Sequence, residues 1–445
     1  MTVHKKPRIA AIAMALALCL FSQPAANAAS GFSDVPKNAW FYQNVTELAA
    51  AGVVNGYPDG SFRPGGSVTT AEALKLILLA AGYSQQAGNS SHWAAGYASL
   101  ATSTGMLLPD EVRNLDASAS RLMIAKLTAQ SLGLSQSAAE SPFADARSGW
   151  ATALYEKGIM IGSTESGQRL LLPANDIKRS EISAIVWRAR NYRAQRTTET
   201  FAFWGRNIEV LDGVARNNYT PSAFSTDENG RVHYNGSGVT TRHGIDVSQW
   251  QGDIDWKKVK ASGVDFAILR VGGRYYGKNS SGIYSDTTFV QNIQGATAAG
   301  IDVGVYFFST AVTPAEAVEE ANYVLDKIKG YTIKMPVVYD WEVNSTEYRN
   351  YGLDAATLNA CANAFTARVQ AAGYTPMIYY NNNIGYFSYD LRRLPDCPRW
   401  LAEYHTTTPN IPTFYYDFAM WQYSDKGKVD GISGGVDLDI QFIRK

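Results

Sequence analysis

Eight short apolar segments after Arg242 constrain the fold of the C-terminal half more than any other feature of the chain. Helical segments separate the earlier ones, notably at 286–300, 313–329 and 354–372, whereas the last three connections are too short for full crossover helices. Strands that alternate with helices are typical of a parallel βα architecture, and eight strands predict a barrel whose final part departs from the regular pattern. The segments are GIDVSQW (244–250), DFAILRVGG (265–273), DVGVYFFST (302–310), MPVVYDWEV (335–343), TPMIYYNN (375–382), RWLAEYH (399–405), DFAMWQYS (417–424) and VDLDIQFI (436–443).

Several carboxylates occupy sequence positions that such a barrel would bring close together. Asp340 and Glu342 are two positions apart, so on a strand their side chains share one face and converge at the C-terminal end. Functional side chains of these barrels lie at that end, where Asp246 and Asp437 can join the pair. Crowded carboxyl groups push their pKa values apart, so one stays protonated as a proton donor while others ionise, as cleavage of a glycosidic bond requires. Taken alone, the Asp-Trp-Glu segment is equally typical of a polar strand end that faces water.

The N-terminal half repeats itself loosely. Trp40, Trp93 and Trp150 open comparable segments, and a glycine ends each of them. Each segment has the pattern of a helix, a glycine stop, a loop and a second helix with an apolar stripe. This pattern predicts an all-α region of three repeats, at about 31–82, 90–133 and 143–192.

The remaining segments indicate the cellular compartment of the protein and a linker between its two halves. Residues 1–29 combine basic residues, an apolar run and Ala26-Asn27-Ala28, which predicts a secretory signal peptide. The mature chain has no segment with the ~20 apolar residues of a transmembrane helix. Short apolar pieces within 193–241 indicate that this transitional segment, a linker before the region 242–445, is not wholly flexible.

Composition narrows the class of function. Forty basic residues balance forty acidic ones, which disfavours a nucleic-acid partner. The sequence has no HExxH, Walker or GxSxG motif and no His-Cys cluster, so we expect neither a metal nor a cofactor. Cys361 and Cys397 fit either a disulfide or two buried thiols.

Residues 242–443 resemble the family-25 glycoside hydrolases, which are lysozyme-type N-acetylmuramidases. The resemblance is carried by GIDVSQWQGDIDW, FAILRVG, GVYFFS, YDWE, WLAEY, WQYS and GVDLD. It implies a modified TIM-like βα barrel, in which Glu342 is the general acid, Asp340 its carboxylate partner, and Asp246 and Asp437 flanking acids. Asp439 stands where the family often has asparagine, and this additional carboxylate can alter the pKa values around it. The residues that the resemblance assigns to the substrate site are Tyr306, Tyr379, Tyr404, Trp421, Gln422 and Asp439.

Residues 31–192 resemble the S-layer homology family. The resemblance is carried by Phe32-Ser33-Asp34, the loop NGYPDGSFRPGGSVT and the Thr69-Thr70-Ala71-Glu72 motif, in which family members usually have arginine at the second position. It implies a helical pseudo-trimer that binds an anionic secondary cell-wall polysaccharide, with Arg121 and Arg179 as anion contacts. The alternative is that these arginines only cap and pair at helix starts.

The two resemblances together imply a secreted hydrolase of peptidoglycan glycan strands, attached to a Gram-positive-type cell wall. The bond cleaved would be the β-1,4 bond between N-acetylmuramic acid and N-acetylglucosamine. The alternatives are a catalytically silent wall-binding protein and an N-acetylglucosaminidase. A retaining mechanism can use a carboxylate nucleophile or the acetamido group of the substrate, and we favour the second because Asp340 and Glu342 lie on the same strand face.

Overall fold

The computed structural model describes residues 31–89, 91–394 and 396–445, so the predicted signal peptide at 1–29 lies outside the described residues. Within these ranges, no helix is both long enough and apolar enough to cross a membrane. Cys361 and Cys397 are free thiols; Cys361 is buried and Cys397 is half-buried.

Helices dominate the N-terminal region. Thr69 and Ser120 accept hydrogen bonds from the backbone N–H groups of Glu72 and Met123, both at 3.2 Å, and so cap two of these helices. The helices are α1 (Tyr42–Ala50), α2 (Thr70–Ala80), α3 (Ala95–Ser103), α4 (Arg121–Ser131), α5 (Gly149–Glu156) and α6 (Arg179–Gln195).

Three units of this region close on one another through a ring of backbone hydrogen bonds. Val68 N donates to Ile177 O at 3.1 Å, Ile177 N to Ala119 O at 3.1 Å, and Ala119 N to Val68 O at 2.8 Å. Each of these residues lies just before the second helix of its unit, so the ring relates the units by a pseudo-threefold axis. This arrangement agrees with the expected pseudo-trimer.

The all-α prediction misses one element of this region. Strands β1 (Ser163–Glu165) and β2 (Gln168–Leu170) form an antiparallel hairpin. Ser166 and Gly167 between them have φ values of 49° and 78°, and positive φ at both central positions is what a tight two-residue hairpin turn requires. A serine in that conformation is uncommon, so the sequence lacks the usual turn residue at this position. The hairpin therefore could not be predicted from the helical pattern of the repeats.

The transitional segment is folded against the C-terminal half. It forms two antiparallel hairpins: β3 (Thr200–Phe203) with β4 (Arg206–Glu209), and β5 (Phe224–Thr226) with β6 (Val232–Tyr234). The Phe201 ring stacks on Tyr415 with centroids 4.3 Å apart. The apolar pieces seen in the sequence are therefore packing surfaces between neighbouring parts of the molecule.

The C-terminal half contains the predicted eight-stranded barrel. Its order is β7-β8-β10-β11-β12-β13-β14-β15, and β15 pairs with β7 to close the ring. All neighbours are parallel except β15, which is antiparallel to both β14 and β7. The strands are β7 (Val239–Val247), β8 (Phe266–Arg274), β10 (Asp302–Ser309), β11 (Val337–Trp341), β12 (Pro376–Asn381), β13 (Arg399–Ala402), β14 (Met420–Gly427) and β15 (Val436–Arg444), and β9 (Ile283–Ser285) pairs with the end of β8.

Strand alternation divides the barrel into two apolar layers. The interior is filled by a small cluster that includes Phe266, Ile268, Val338 and Met377. The intervening residues, such as Ala267 and Leu269, face the surrounding helices and belong to the larger core of the molecule. Those helices are α7 (Trp256–Ala261), α8 (Phe289–Ala298), α9 (Pro314–Ile328) and α10 (Ala355–Ala371).

Candidate active site

A cleft opens at the mouth of the barrel, where the parallel strands end. The interior apolar cluster lies below it and forms its floor. Polar and aromatic side chains replace aliphatic ones at this level of the strands. The residues that line the cleft are Asp246, Arg270, Tyr306, Phe308, Asp340, Glu342, Tyr379, Trp400, Tyr404, Gln422 and Asp437.

Asp340 and Glu342 are the paired acids of β11 and the residue just after it. Asp340 is 5% exposed, and its Oδ1 atom has no hydrogen-bond partner in the protein. Burial raises the pKa of Asp340 well above its usual value, the neighbouring Glu342 raises it further, and Arg270 opposes both. Burial also raises the pKa of the half-buried Glu342, while Asn344 Nδ2 donates to Glu342 Oε2 at 3.0 Å and lowers it. Both shifts let the pair keep a proton at higher pH than exposed carboxyl groups would, which suits a general acid.

Asp246 and Asp437 reach the same mouth from the strands that close the barrel. They are direct neighbours across the antiparallel pair β7 and β15. Burial raises the pKa of Asp437 to about 6. The pKa of Asp246 is raised well above its usual value by burial and then by the carboxyl groups of Asp437 and Asp439. Within the described ranges, no group of three or more histidine, cysteine, aspartate or glutamate side chains is arranged to hold a metal ion.

Gln422 joins one of these acids to the tyrosines of the cleft. Its Nε2 atom donates to Asp246 Oδ2 at 2.6 Å, and its Oε1 atom accepts from the hydroxyls of Tyr379 at 3.0 Å and Tyr404 at 2.5 Å. The tyrosine donors fix the amide orientation, because only the oxygen of the amide can accept. The Gln422 amide is thus held in place on one wall of the cleft.

The model of the family "Glycosyl hydrolases family 25" matches residues 245–432, and the model "S-layer homology domain" matches residues 31–74. Lysozyme M1 of Streptomyces globisporus is 32% identical over 203 residues, which cover 44% of this chain and 65% of that protein. Autolytic lysozyme of Clostridium acetobutylicum is 32% identical over 200 residues, which cover 44% and 54%. The uncharacterized protein YegX of Escherichia coli strain K12 is 31% identical over 213 residues, which cover 45% and 69%.

The chain belongs to glycosyl hydrolases family 25. The matched region contains strands β8 to β14, the end of β7 and every residue that lines the cleft except Asp437, whereas β15 follows it. The chain spans roughly half to two thirds of the length of the two lysozymes. The S-layer homology match falls on the first of the three units joined by the backbone ring.

Two of the substrate-site residues expected from the sequence lie outside the family-25 cleft. Trp421 is fully buried on the outer face of β14, where its indole N–H donates to Glu403 O at 2.9 Å. Strand alternation is the reason, since its neighbour Gln422 faces inward. Asp439 is also fully buried, below the cleft, and accepts from the Trp400 indole at 2.9 Å. Asp439 therefore does not line the cleft, and its carboxyl group contributes to the raised pKa of Asp246.

The other predicted residues of the family-25 site are brought together. Asp246, Asp340, Glu342 and Asp437 line one cleft. Its walls also carry the predicted Tyr306, Tyr379, Tyr404 and Gln422.

Sequence reasoning missed three residues that line the cleft. Arg270 is a lone cation inside the apolar segment DFAILRVGG, and its Nε atom donates to the buried Asp286 Oδ2 at 2.7 Å. A charged residue in such a run is a signal of a functional end of a strand. Phe308 and Trp400 gave no comparable signal, because large aromatic residues in strands usually pack in a core.

Arg121 and Arg179, the predicted anion contacts, are both engaged in salt bridges between units. Arg121 Nη1 lies 3.0 Å from Glu181 Oε1, and Arg179 Nη1 lies 2.9 Å from Glu72 Oε1. The side chains are 6% and 11% exposed. At the third junction, the corresponding positions hold Thr70 and Met123, which contact each other. The arginine and the glutamate are thus both absent from that junction, as expected if their role is to pair with each other.

Proposed function

We propose that the protein is a wall-anchored peptidoglycan hydrolase that cleaves the β-1,4 bond between N-acetylmuramic acid and N-acetylglucosamine. One observation carries the proposal: Asp340 and Glu342, both with raised pKa values, stand together in the cleft of a family-25 barrel. Two relatives of the barrel region are named lysozymes, which supports the same substrate class.

In this proposal Glu342 is the general acid. It protonates the leaving oxygen, and burial supports the role because it keeps the carboxyl protonated at higher pH than an exposed glutamate. Asp340 is its partner, and Asp246 and Asp437 flank the sugar from the opposite wall. The tyrosines and Gln422 hold the sugar ring through stacking and hydrogen bonds.

Two retaining routes lead from this arrangement to product. Asp340 can attack the reacting carbon, or it can orient the acetamido group of N-acetylmuramic acid while that group attacks. We propose the second route, because Asp340 and Glu342 leave the same strand on the same face and approach the bond from one side. NMR of the first anomer formed tests retention, and a glycosyl ester trapped on Asp340 would contradict substrate assistance.

The N-terminal units, residues 31–192, would attach the secreted enzyme to the cell wall. The match to the S-layer homology domain over residues 31–74 and the ring of three units support this role. We propose an anionic secondary cell-wall polysaccharide as the partner. The salt bridges of Arg121 and Arg179 indicate that other residues supply most of its contacts.

The experiment that tests the proposed activity is reducing-end analysis of peptidoglycan digested by the full chain. New N-acetylmuramic acid reducing ends are expected. New N-acetylglucosamine ends would assign the protein as an N-acetylglucosaminidase instead. No new ends of either kind, with wall binding intact, would indicate a wall-binding protein without activity.

A further inference from the structure

The loop 343–354, which follows the catalytic pair, is tied to Glu342 on one side. Asn344 Nδ2 donates to the carboxylate Oε2 of Glu342 at 3.0 Å, and Asn350 Nδ2 donates to the backbone oxygen of Glu342 at 2.8 Å. Arg349 forms two hydrogen bonds with Glu316, at 2.9 and 2.7 Å, and so holds the loop to the start of α9. The position of Glu342 therefore depends on the conformation of this loop.

On its other side, the same loop is bound by the second unit of the N-terminal region. Asp110 Oδ2 accepts hydrogen bonds from Ser345 Oγ at 2.7 Å and Thr346 Oγ1 at 3.2 Å. Glu111 Oε1 accepts from the Tyr351 hydroxyl at 2.5 Å. Ser345 directly follows Asn344, so the Asp110 contact fixes the backbone beside the side chain that touches Glu342.

Glu111 is itself held firmly in this junction. Its Oε2 atom accepts from Lys126 Nζ at 2.6 Å and from Leu108 N at 2.7 Å, and its side chain is only 7% exposed. The Lys126 ammonium also lies 5.4 Å from the centre of the Tyr351 ring. A desolvated carboxylate with a cation on one oxygen is a strong and directional acceptor for a tyrosine hydroxyl on the other.

The contact continues beyond the loop, which keeps the two halves from shifting separately. Gln136 Oε1 accepts from the backbone N–H of Ala355, the first residue of α10, at 3.0 Å. Ser135 Oγ donates to Tyr386 O at 2.5 Å. Gly105 packs so closely on Asn383 that a Cβ atom there would lie 2.6 Å from the amide nitrogen. The second unit is thus docked along the rim of the barrel.

We propose that Asp110 and Glu111 are positioning residues for Glu342, so that the anchoring region completes the active site instead of merely tethering it. This inference rests on the proposed function, because it assigns the general-acid role to Glu342. The route runs from Asp110 and Glu111 through the loop to Asn344, whose amide orients the Glu342 carboxyl. Neither Asp110 nor Glu111 lines the cleft.

The test compares variants of the full chain on peptidoglycan. Asp110→Ala with Glu111→Ala should lower kcat about 10- to 100-fold, because small displacements of a catalytic group are costly, while wall binding is kept. Asp110→Asn with Glu111 kept should retain most of the rate, since the amide oxygen can still accept from Ser345 and Thr346. The matched control is Glu140→Ala with Glu165→Ala, which removes two exposed carboxylates from the same region and should leave kcat unchanged.

The pH profile of kcat/KM distinguishes a displaced Glu342 carboxyl from a general loss of folded structure. Loss of the Asn344 hydrogen bond raises the pKa of Glu342, so the basic limb of kcat/KM should move to higher pH in the alanine variant. Asn344→Ala alone should give the same shift, and adding it to the alanine variant should give no more. The ionisable groups that face Glu342 from the surrounding elements are unchanged in all of these variants: Asp340, Tyr348, Tyr379, Tyr404 and Asp437.

A second variant covers the case in which the alanine pair does not fold. Ser345→Ala with Thr346→Val and Tyr351→Phe removes the same three hydrogen bonds from the barrel side and should reproduce both effects. Unchanged kcat and an unchanged basic limb in a folded variant would overturn the inference while the proposed function stands. A wild-type chain that releases no reducing ends would overturn the proposed function and the inference with it.

Discussion

At the scale of single residues, the buried carboxyl of Asp439 differs from an asparagine amide by one atom, yet it contributes to the raised pKa of Asp246 in the cleft. The pKa of Asp439 is raised well above its usual value by burial and then by Asp437. Asparagine has nearly the same shape and could still accept the hydrogen bond from the Trp400 indole. The ionisable carboxyl group of this side chain, and not its size, is therefore what distinguishes this chain at position 439.

Asp439→Asn is expected to stabilise the protein at neutral pH more than at pH 4. As pH rises past the usual pKa of aspartate, the unfolded chain releases a proton that the folded chain keeps, so Asp439 costs stability at neutral pH. The gain should therefore be seen at neutral pH and be much smaller at pH 4, where the unfolded chain is largely protonated as well. Thermal unfolding at both pH values measures it, with the exposed Asp212→Asn as control. Equal gains at pH 4 and pH 7 would contradict the assignment of a neutral Asp439.

Arg121→Met tests the role of the arginines between units. It leaves Glu181 without its cation and Leu171 O without its donor, so the free energy of unfolding should fall by about 2 kcal/mol. The double change Arg121→Thr with Glu181→Met imitates the Thr70 and Met123 junction and should cost less than the two single changes together. Denaturant unfolding measures these differences. Unaltered stability combined with lost wall binding would instead assign Arg121 to the polymer.

The sequence predicts a site residue well where a charged residue type stands out from its apolar surroundings. Asp340 and Glu342 are recognisable because two acids end an apolar strand. Trp421 and Gln422 are adjacent, and no sequence pattern alone decides which one faces the cleft in a strand buried on both sides. Asp110 and Glu111 could not be found from sequence, because their partners lie more than 200 positions away.

At the scale of elements, β15 explains how the acids converge. Asp437 lies at the start of its strand, and only an antiparallel strand can bring that start to the end of the barrel where its parallel neighbours finish. The sequence predicted the strand but not its direction. The connection before β15 is too short for a helix, which is compatible with an antiparallel strand. The direction could still not be predicted, because it depends on pairing partners far along the chain.

The contact between β8 and α9 is expected to make stability depend on pH. Arg274 Nε lies 2.7 Å from Glu320 Oε1, and both side chains are almost fully buried. Burial raises the pKa of Glu320 to about 7, although Ser309 and Arg274 lower it. Between the usual glutamate pKa and pH 7 the unfolded chain loses a proton that the folded chain keeps, so stability falls as pH rises through this window.

Arg274→Met should extend that loss above pH 7, because the cation that opposes the raised pKa of Glu320 is gone. The destabilisation relative to wild type should therefore be larger at about pH 8 than at about pH 5. Lys278→Met removes one member of an exposed pair with Glu347 and is the control, with a small effect at both pH values. Thermal unfolding at the two pH values gives the comparison. A penalty for Arg274→Met that does not grow with pH would contradict this assignment of Glu320.

At the scale of the whole molecule, the anchoring units and the barrel form one docked assembly. Asp110, Glu111 and Gln136 accept hydrogen bonds from the barrel, and the β3–β4 hairpin adds the stack of Phe201 on Tyr415. The sequence predicted both parts from their separate patterns. Their docking could not be predicted, because it depends on a few polar pairs with no periodicity.

Wall attachment is expected to depend on the secondary polysaccharide and not on peptidoglycan alone. Full-chain Glu342→Gln is suited to this measurement, since it should bind walls without digesting them. Sedimentation with purified walls should show binding that is lost when the polysaccharide is stripped. Undiminished binding to stripped peptidoglycan would assign attachment to the barrel.

The central claim is that Glu342 delivers the proton in the cleft, and the rate of reducing-end release by Glu342→Gln tests it most directly. The amide keeps the shape of the side chain and can still accept from Asn344, but it cannot supply a proton. The rate should fall by ~10²–10⁴-fold or more, in a protein that is no less stable to thermal unfolding than wild type. The exposed Glu228→Gln, as control, should release reducing ends at the wild-type rate. A folded Glu342→Gln enzyme whose rate stays within a few-fold of wild type would contradict the assignment.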